Sequence, residues 1–141
     1  MLKEIDLQSK IVDAVRGSDG HAFKCSNRFL IGVPDISMKL KAMPHAYNEV
    51  KLVKPWPKVS ATVELELTEK QRKFLREYRK AGGIAMYTVF AHDGKQWLWH
   101  IGHDLTIKRL PRILFDTCPA WVEPKKMVAK FEAYFAEHFK I

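Results

Sequence analysis

The stretch GVPDISMKLKAMPHAYNEVKLV, residues 32–53, decides the fold because it has the pattern of a β-hairpin. Two segments of strand character, IGVPDISMK and AYNEVKLV, flank a turn around Pro44. Asp35 lies in the first strand and Glu49 in the second. We therefore expect the two carboxylates on neighbouring strands, close to each other.

Glu49 and Lys51 define the polar face of the second strand. Side chains alternate along a strand, so these two share a face while Val50 points to the other. Two carboxylates close together in a half-buried sheet repel each other and lose water, which is costly unless a cation neutralises them. Mg²⁺ is such a cation, because it takes oxygen ligands from one or two carboxylates, keeps several waters and accepts phosphate oxygens.

This pattern indicates a site that hydrolyses phosphodiesters. Lys51 would lie beside the attacking water, where its ammonium orients that water, helps to deprotonate it or stabilises the charge developing on phosphorus. The residues leave these three roles open. The alternative is that Asp35 and the Glu-Val-Lys sequence are a turn residue and a solvated strand face, since such spacing occurs by chance in many chains.

Length and charge narrow the class of protein. The chain has 141 residues, enough for one hydrophobic core, so we expect a single domain over residues 1–141. Lysine and arginine total 24 against 16 aspartates and glutamates, a net charge of +8. That excess favours a polyanionic partner, above all nucleic acid. An anionic membrane surface is the weaker alternative, because no face combines a basic band with a broad apolar one.

Cysteine usage and the lack of a signal-peptide pattern favour a reducing, cytoplasmic setting, which includes that of a viral protein inside a host cell. Cys25 and Cys118 are far apart in the sequence and form no C-x-x-C motif, so we expect two free thiols. No run of residues is long and apolar enough to suggest a membrane span.

The N-terminal part predicts a helix and then a short strand. Residues 2–16 place apolar side chains at helical spacing, and Gly17 follows as a stop. Glu4 lies in the first turn, where the ordinary role of an acid is to complement the helix dipole. The segment HAFKCSNRF is predicted to be extended. Its polar residues Lys24, Asn27 and Arg28 are candidates for nucleic-acid binding or plain surface groups.

Two basic segments follow the hairpin. In KPWPKVSAT, Lys54 and Lys58 flank Trp56, a combination that can grip a nucleic-acid backbone or stack on a base, although such a tryptophan as often packs under a loop. After the alternating segment VELEL, a helix is predicted to begin at Thr68, with Gln71 at the capping-box position. Its polar surface, a candidate phosphate-binding face or a solvated one, contains Lys70, Arg72, Lys73, Arg76, Arg79 and Lys80.

The remainder predicts a hairpin, an irregular segment and a last helix. IAMYTVFAH and QWLWHIG flank the turn signal Asp93-Gly94. Residues 105–119 are predicted to be irregular, and a helix is predicted from Pro124 through Lys140. His92, His100 and His103 lack paired ligand spacing, which argues against zinc.

Three motifs together carry a family resemblance. G-V-P-D at residues 32–35, N-E-V-K at residues 48–51 and L-T-E-K-Q at residues 67–71, which opens a helix ending in Gly-Gly, resemble the PD-(D/E)XK nuclease superfamily and its VRR-Nuc branch, the virus-type replication and repair nucleases. The resemblance covers roughly the first ninety residues. It implies an α/β fold with a mixed central sheet flanked by helices, in the order αβββαβ, followed here by a C-terminal helix. Such domains are similar to archaeal Holliday-junction resolvases, and stand-alone viral members are similar to small homodimeric ones.

The resemblance also implies roles for individual residues. Asp35 and Glu49 would ligate Mg²⁺ or Mn²⁺ with the carbonyl of Val50, and Lys51 would be the catalytic lysine. Supporting positions are implied for Gln71, on the helix after the lysine, and for Glu4, as an additional carboxylate from the first helix.

The leading hypothesis is a metal-dependent DNA endonuclease that cuts branched or structured DNA, as a Holliday-junction resolvase does, and that acts as a symmetric homodimer. A dimer suits a four-way junction because the junction itself has two-fold symmetry. The alternatives are a sequence-specific or nonspecific duplex nuclease and a noncatalytic nucleic-acid-binding module.

Overall fold

The computed structural model describes residues 2–25, 32–53, 62–118 and 123–139. In chain order the elements are α1 (Glu4–Arg16), β1 (His21–Lys24), β2 (Ile36–Lys39), β3 (His45–Val53), β4 (Thr62–Glu64), α2 (Glu69–Lys80), β5 (Ile84–His92), β6 (Trp97–Gly102), β7 (Arg109–Pro111), a 3₁₀ turn (Arg112–Leu114), β8 (Asp116–Thr117) and α3 (Pro124–His138).

Six strands form a mixed sheet in the order β1-β2-β3-β5-β6-β8. β3 and β5 are parallel and the other neighbours are antiparallel. A parallel pair needs a crossover connection, and α2 lies in the one between β3 and β5. β4 and β7 pair separately as a small second sheet. The predicted α/β class is confirmed, and the order αβββαβ is present with β4 inserted before α2.

The predicted hairpin is confirmed as β2 and β3, but the first strand is shorter than predicted, and Asp35, expected within it, lies just before β2. Ile36 lies opposite Asn48 in this antiparallel pair, and the pairing stops there because β2 begins at Ile36. β3 has nine residues and β2 only four, so the second half of β3 extends beyond its neighbour. That uncovered half contains the Glu-Val-Lys sequence.

The main sheet buries apolar side chains on both faces. One face packs against α1 and α3, whose buried residues include Ile11 and Phe131, and it receives Val50 from β3. The other face packs against α2 through Leu75 and receives Tyr47. Because β3 alternates between these faces, Glu49 lies on the side of α2.

Local signals explain the boundaries of α2. The Thr68 hydroxyl accepts a hydrogen bond from the Gln71 amide at 3.1 Å, and the Thr68 amide donates to the Gln71 side-chain oxygen at 2.9 Å. This is the predicted capping box, which satisfies two backbone donors at once. The helix ends before Gly82, whose φ of 98° suits a residue without a side chain.

The structure differs from the sequence-based expectation in residues 105–119. This segment, predicted to be irregular, contains β7, the 3₁₀ turn and β8. β7 and β8 have three and two residues, which is too short for an alternating pattern to show. Their partners, β4 and β6, are distant in sequence, so the strands depend on tertiary pairing.

The helix predicted through Lys140 ends at His138, and Lys140 lies outside the described residues. Cys25 and Cys118 are free thiols, as expected. Across the described ranges, no helix combines the length and the apolar character that a bilayer crossing requires.

Candidate active site

Asp35 and Glu49 meet at the point where β2 stops pairing with β3. The backbone N–H of Asp35 donates to Glu49 Oε1 at 3.2 Å, and the backbone N–H of Val50 donates to Asp35 Oδ2 at 2.9 Å. The Asp35 carbonyl also accepts from the Cys25 amide at 2.8 Å, which fixes the segment from the other side. The structure therefore brings the two predicted carboxylates together.

The edge of β3 beyond Asn48 is covered by carboxylates instead of a strand. The Val50 N–H donates to Asp35, and the Leu52 N–H donates to Glu4 Oε1 at 3.1 Å. In a hydrogen-bonded antiparallel pair, the N–H and C=O of one residue point to the same neighbour. The Val50 carbonyl therefore lies on the edge that carries Asp35.

Pro34 explains why no strand takes this place. Continuing the register of β2 and β3 would put Pro34 opposite Val50. Proline has no N–H, so it could not donate to the Val50 carbonyl, and the ladder cannot continue through this position. Pro34 thus prevents β2 from extending farther toward the N-terminus, and the adjacent Asp35 supplies the carboxylate that bonds to Val50.

Glu4 reaches this edge from the first turn of α1. The neighbouring acid Asp6 is engaged in capping that helix, since its carboxylate accepts from the Lys3 amide at 2.8 Å. Glu4 instead lies against β3, two residues along the strand from the contact of Asp35 with Val50. Glu4 thus lies on the same edge as the carboxylate pair but not in a three-acid cluster with it, and its role as an additional metal carboxylate stays a prediction.

Glu49 is the most perturbed group of the site. Its side chain is 1% exposed, and Oε2 is buried without a hydrogen-bond partner. Burial, above all, and then the hydrogen bond and repulsion with Asp35 raise the pKa of Glu49 to about 9 from its ordinary 4.5. If both groups were ionised, neither could donate to the other. Glu49 therefore needs either a proton or a cation.

The donor set fits a hard divalent cation. A buried carboxylate oxygen without a partner, a second carboxylate and the Val50 carbonyl are all oxygen ligands, which Mg²⁺ and Mn²⁺ take. In the described part of the chain, no group of three or more His, Cys, Asp or Glu side chains lies close enough together to hold a metal. Such a cation would therefore be held by Asp35, Glu49 and the carbonyl, and would complete its shell with water or phosphate oxygens.

Lys51 lies on the same face of β3 as Glu49 and is half-buried. Its charge lowers the pKa of Glu49, as the backbone hydrogen bond from Asp35 also does, against the larger raising effect of burial. The ammonium therefore acts electrostatically on Glu49, while the catalytic role of Lys51 stays a prediction.

Aromatic side chains of α2 pack on the first half of β3. Tyr78 packs on His45 and on Tyr47, with ring centroids 5.7 and 4.7 Å apart, and Phe74 packs on Tyr47 at 5.2 Å. Support of the site by Gln71 stays a prediction. The Gln71 side-chain oxygen accepts from the Thr68 amide, so its visible role is to begin the helix.

Gly32 holds the motif segment against α2, a contact that sequence reasoning missed. A Cβ at this position would lie 2.5 Å from the Lys70 carbonyl oxygen, and the φ of Gly32 is 90°. Only glycine tolerates both conditions. Its position two residues before Pro34 is the sequence signal that could have indicated a close backbone approach.

The predicted nucleic-acid-binding residues have different environments. Lys73 and Arg76 are exposed on α2, and Lys24 is half-buried on the edge strand β1. The predictions for the other candidates fall outside the described residues; they are Asn27, Arg28, Lys54, Trp56 and Lys58.

The prediction that Arg72 lies on an exposed phosphate-binding face is wrong. It is 4% exposed, and its guanidinium donates to backbone carbonyls of α2's approach segment and of residues before β7. The acceptors are the carbonyls of Leu65, Leu67, Leu105 and Ile107. Arg72 precedes buried Leu75 by three residues, so helical spacing places both on the inner face. Its role is to tie α2 to two loops, and it does not contribute to an exposed phosphate-binding face.

The comparisons with known proteins find similarity among solved structures alone. No family model matches the chain, and no curated protein matches it. Among solved structures it is similar to Hjc, a Holliday junction resolvase from the archaeal hyperthermophile Archaeoglobus fulgidus, with 13% identity and a TM-score of 0.49 over 78% of this chain and 83% of that one. Similarity at this level carries no functional inference, and the VRR-Nuc branch stays a prediction from the three motifs.

Proposed function

We propose that this protein is a divalent-metal-dependent endonuclease that hydrolyses phosphodiester bonds in DNA. The observation that carries the proposal is the contact between Asp35 and Glu49, in which a buried carboxylate oxygen has no partner, on the strand that also presents Lys51. A bound Mg²⁺ or Mn²⁺ would supply Lewis-acid activation of a phosphoryl oxygen and a more acidic water.

The chain's own residues position the reactants. Asp35 is fixed by the Val50 amide, and Glu49 is fixed by the Asp35 amide, so both carboxylates are oriented before any ligand arrives. Lys51 would act on the water or on the charge at phosphorus. Glu4 adds a carboxylate farther along the same edge, and Gln71 supports the site from α2.

Branched DNA is the proposed substrate class, and a homodimer the proposed assembly. The net charge of +8 and the exposed cations of α2 suit a polyanion. A two-fold dimer would place two active sites on a two-fold symmetric junction. Light scattering at several protein concentrations tests the dimer, and a mass of one chain throughout would refute it.

Cleavage of a labelled four-way junction and of matched linear duplex, each with Mg²⁺ or EDTA, tests the activity. We expect paired nicks in the junction that EDTA, Asp35→Asn and Lys51→Ala each abolish. Asp13→Asn, which removes an exposed carboxylate of α1, is the matched control and should cut like wild type. Cutting of both DNAs would keep the nuclease and reject junction preference. Failure to cut either DNA with Mg²⁺ or Mn²⁺ would reject the nuclease.

The second candidate is a noncatalytic nucleic-acid-binding module, favoured by the exposed cations on α2. It predicts that DNA binds without cutting under every metal, and that Asp35→Asn leaves affinity unchanged. For a nuclease, removing that charge without metal should leave affinity equal or tighter, because carboxylates repel phosphate.

A further inference from the structure

A basic cleft lies at the opposite end of α2 from the carboxylates. It has a volume of about 840 Å³ and is formed by the last turns of α2, the start of β5, the loop after β6 and the end of α3. The lining of the cleft includes Arg76, Arg79, Lys80, His103, Asp104 and Phe139. Nothing in the three sequence motifs points to this cleft.

Three cations of the cleft come from one face of α2. Arg76, Arg79 and Lys80 are three and four residues apart, so they are neighbours on the helix surface. No ion pair joins any of them to a carboxylate within the described ranges. Cations in a last helical turn also complement the helix dipole. This interaction with the helix dipole explains why Arg79 and Lys80 are basic, but it does not explain Arg76, which lies one turn earlier.

Arg79 is held in place before any ligand binds. Its Nη1 donates to the His103 carbonyl at 2.5 Å, and its guanidinium lies 5.9 Å from the centroid of the Phe139 ring. The arginine has therefore already lost most of its rotamer freedom, which lowers the entropic cost of binding an anion. Arg76 and Lys80 are exposed beside it.

Asp104 is the acid that lines the cleft. Its carboxylate accepts from both the amide and the hydroxyl of Thr106, at 2.9 and 2.6 Å. It is thus engaged within its own loop and forms no ion pair among the described residues, although its pKa is lowered by these hydrogen bonds and, to a smaller extent, by the charge of nearby Arg79. Three cations against this one carboxylate leave the cleft positive.

Exposed cations connect the cleft with the candidate active site. Lys73, Arg76 and Lys80 are all exposed and repeat at intervals of three and four residues along α2. Lys73 Nζ lies 3.9 Å from Glu77 Oε1, but both side chains are exposed, so this ion pair contributes little to stability. The first turn of α2 packs on Gly32 of the motif segment, so the row leads from that segment to the cleft.

We propose that this cleft is a second phosphate-binding site, which holds a nucleic-acid phosphodiester remote from the bond that is cut. This inference rests on the proposed function for its ligand. Lys70 and Lys80 are ten positions apart, which corresponds to about 15 Å along the helix. At 3.4 Å per step that distance corresponds to about four or five nucleotides of one duplex strand.

The test measures binding without cleavage, by fluorescence anisotropy of labelled junction DNA in EDTA over a range of salt. The double variant Arg76→Gln with Lys80→Gln removes two exposed charges. Lys125→Gln with Lys130→Gln removes two exposed charges from α3, whose buried residues pack on the other face of the sheet, and is the matched control. Thermal melting of each variant checks that it is folded.

We expect the α2 variant to lose about tenfold or more in affinity and to reduce the salt slope by about 2, as loss of two phosphate contacts requires. The control should change affinity by less than about twofold. Equal affinities and slopes for the two variants would overturn the proposal.

A second measurement separates nucleic acid from a free anion. If inorganic phosphate raises the melting temperature of wild type but not of the α2 variant, while DNA affinity is the same in both, the cleft takes a free anion and the nucleic-acid assignment is refuted. If wild type binds DNA through the cleft but never cuts it, the nuclease proposal fails and the phosphate site stands.

Discussion

Glu49→Gln should stabilise the metal-free protein, by an amount that increases with pH. In the folded chain the pKa of Glu49 is raised to about 9, whereas its ordinary value is 4.5. Between these values the folded state keeps the proton and the unfolded state releases it. Wild type therefore loses stability as pH rises through this window, and a glutamine at this position does not.

The linkage relation gives the magnitude. One proton difference costs about 3 kcal/mol over two pH units, so the advantage of Glu49→Gln should increase by that amount between about pH 5.5 and pH 7.5. Glutamine keeps the shape of the side chain, and its NH₂ supplies a donor toward the Asp35 carboxylate. The pH-dependent part of the difference therefore isolates the ionisation from any constant effect of the substitution.

Urea unfolding in EDTA at several pH values measures the difference in unfolding free energy. Glu64→Gln, at an exposed position on β4, is the control and should show no pH-dependent difference from wild type. A Glu49→Gln difference that stays constant from pH 5.5 to 7.5 would refute the placement of an ionisable group in a buried, unneutralised position.

Four further outcomes follow from the site and its supports. Mg²⁺ should raise the melting temperature of wild type more at about pH 8 than at pH 6.5, because binding must displace the Glu49 proton, and a pH-independent shift would contradict this. Lys51→Ala should abolish cutting but leave junction affinity in EDTA within about threefold, as anisotropy would show. Gly32→Ala should cost more than about 2 kcal/mol in urea unfolding, since its Cβ would meet the Lys70 carbonyl at a positive φ. Arg72→Met should cost about 2 to 4 kcal/mol because buried carbonyls lose their donors, whereas Lys73→Met should change stability by less than about 0.5 kcal/mol.

Features encoded by neighbouring residues were predictable from the sequence. The hairpin around Pro44 and the capping box at Thr68 are local signals, and both are present, although the first hairpin strand begins only after Asp35. The approach of Asp35 to Glu49 follows from that hairpin, because antiparallel register brings the two strands' residues opposite each other.

Features that depend on distant partners were not predictable. β8 forms by pairing with Leu98 and Trp99 of β6, which are distant in sequence. Arg72 has the composition of a surface residue, and only the loop carbonyls that surround it explain its burial. The basic cleft joins α2 to Phe139, sixty residues away from Arg79, through a ring contact that no local pattern encodes.

The edge of β3 that Asp35 and Glu4 cover also provides two backbone amides that report on the site. The amides of Val50 and Leu52 are hydrogen-bonded to the side chains of Asp35 and Glu4, whereas the amides of a paired strand are bonded to backbone. Their hydrogen-exchange rates should therefore respond when those carboxylates are protonated, substituted or drawn toward a cation, while amides paired between β3 and β5 keep their protection. Two backbone positions thus report the state of the carboxylates directly, whether or not any DNA is cut.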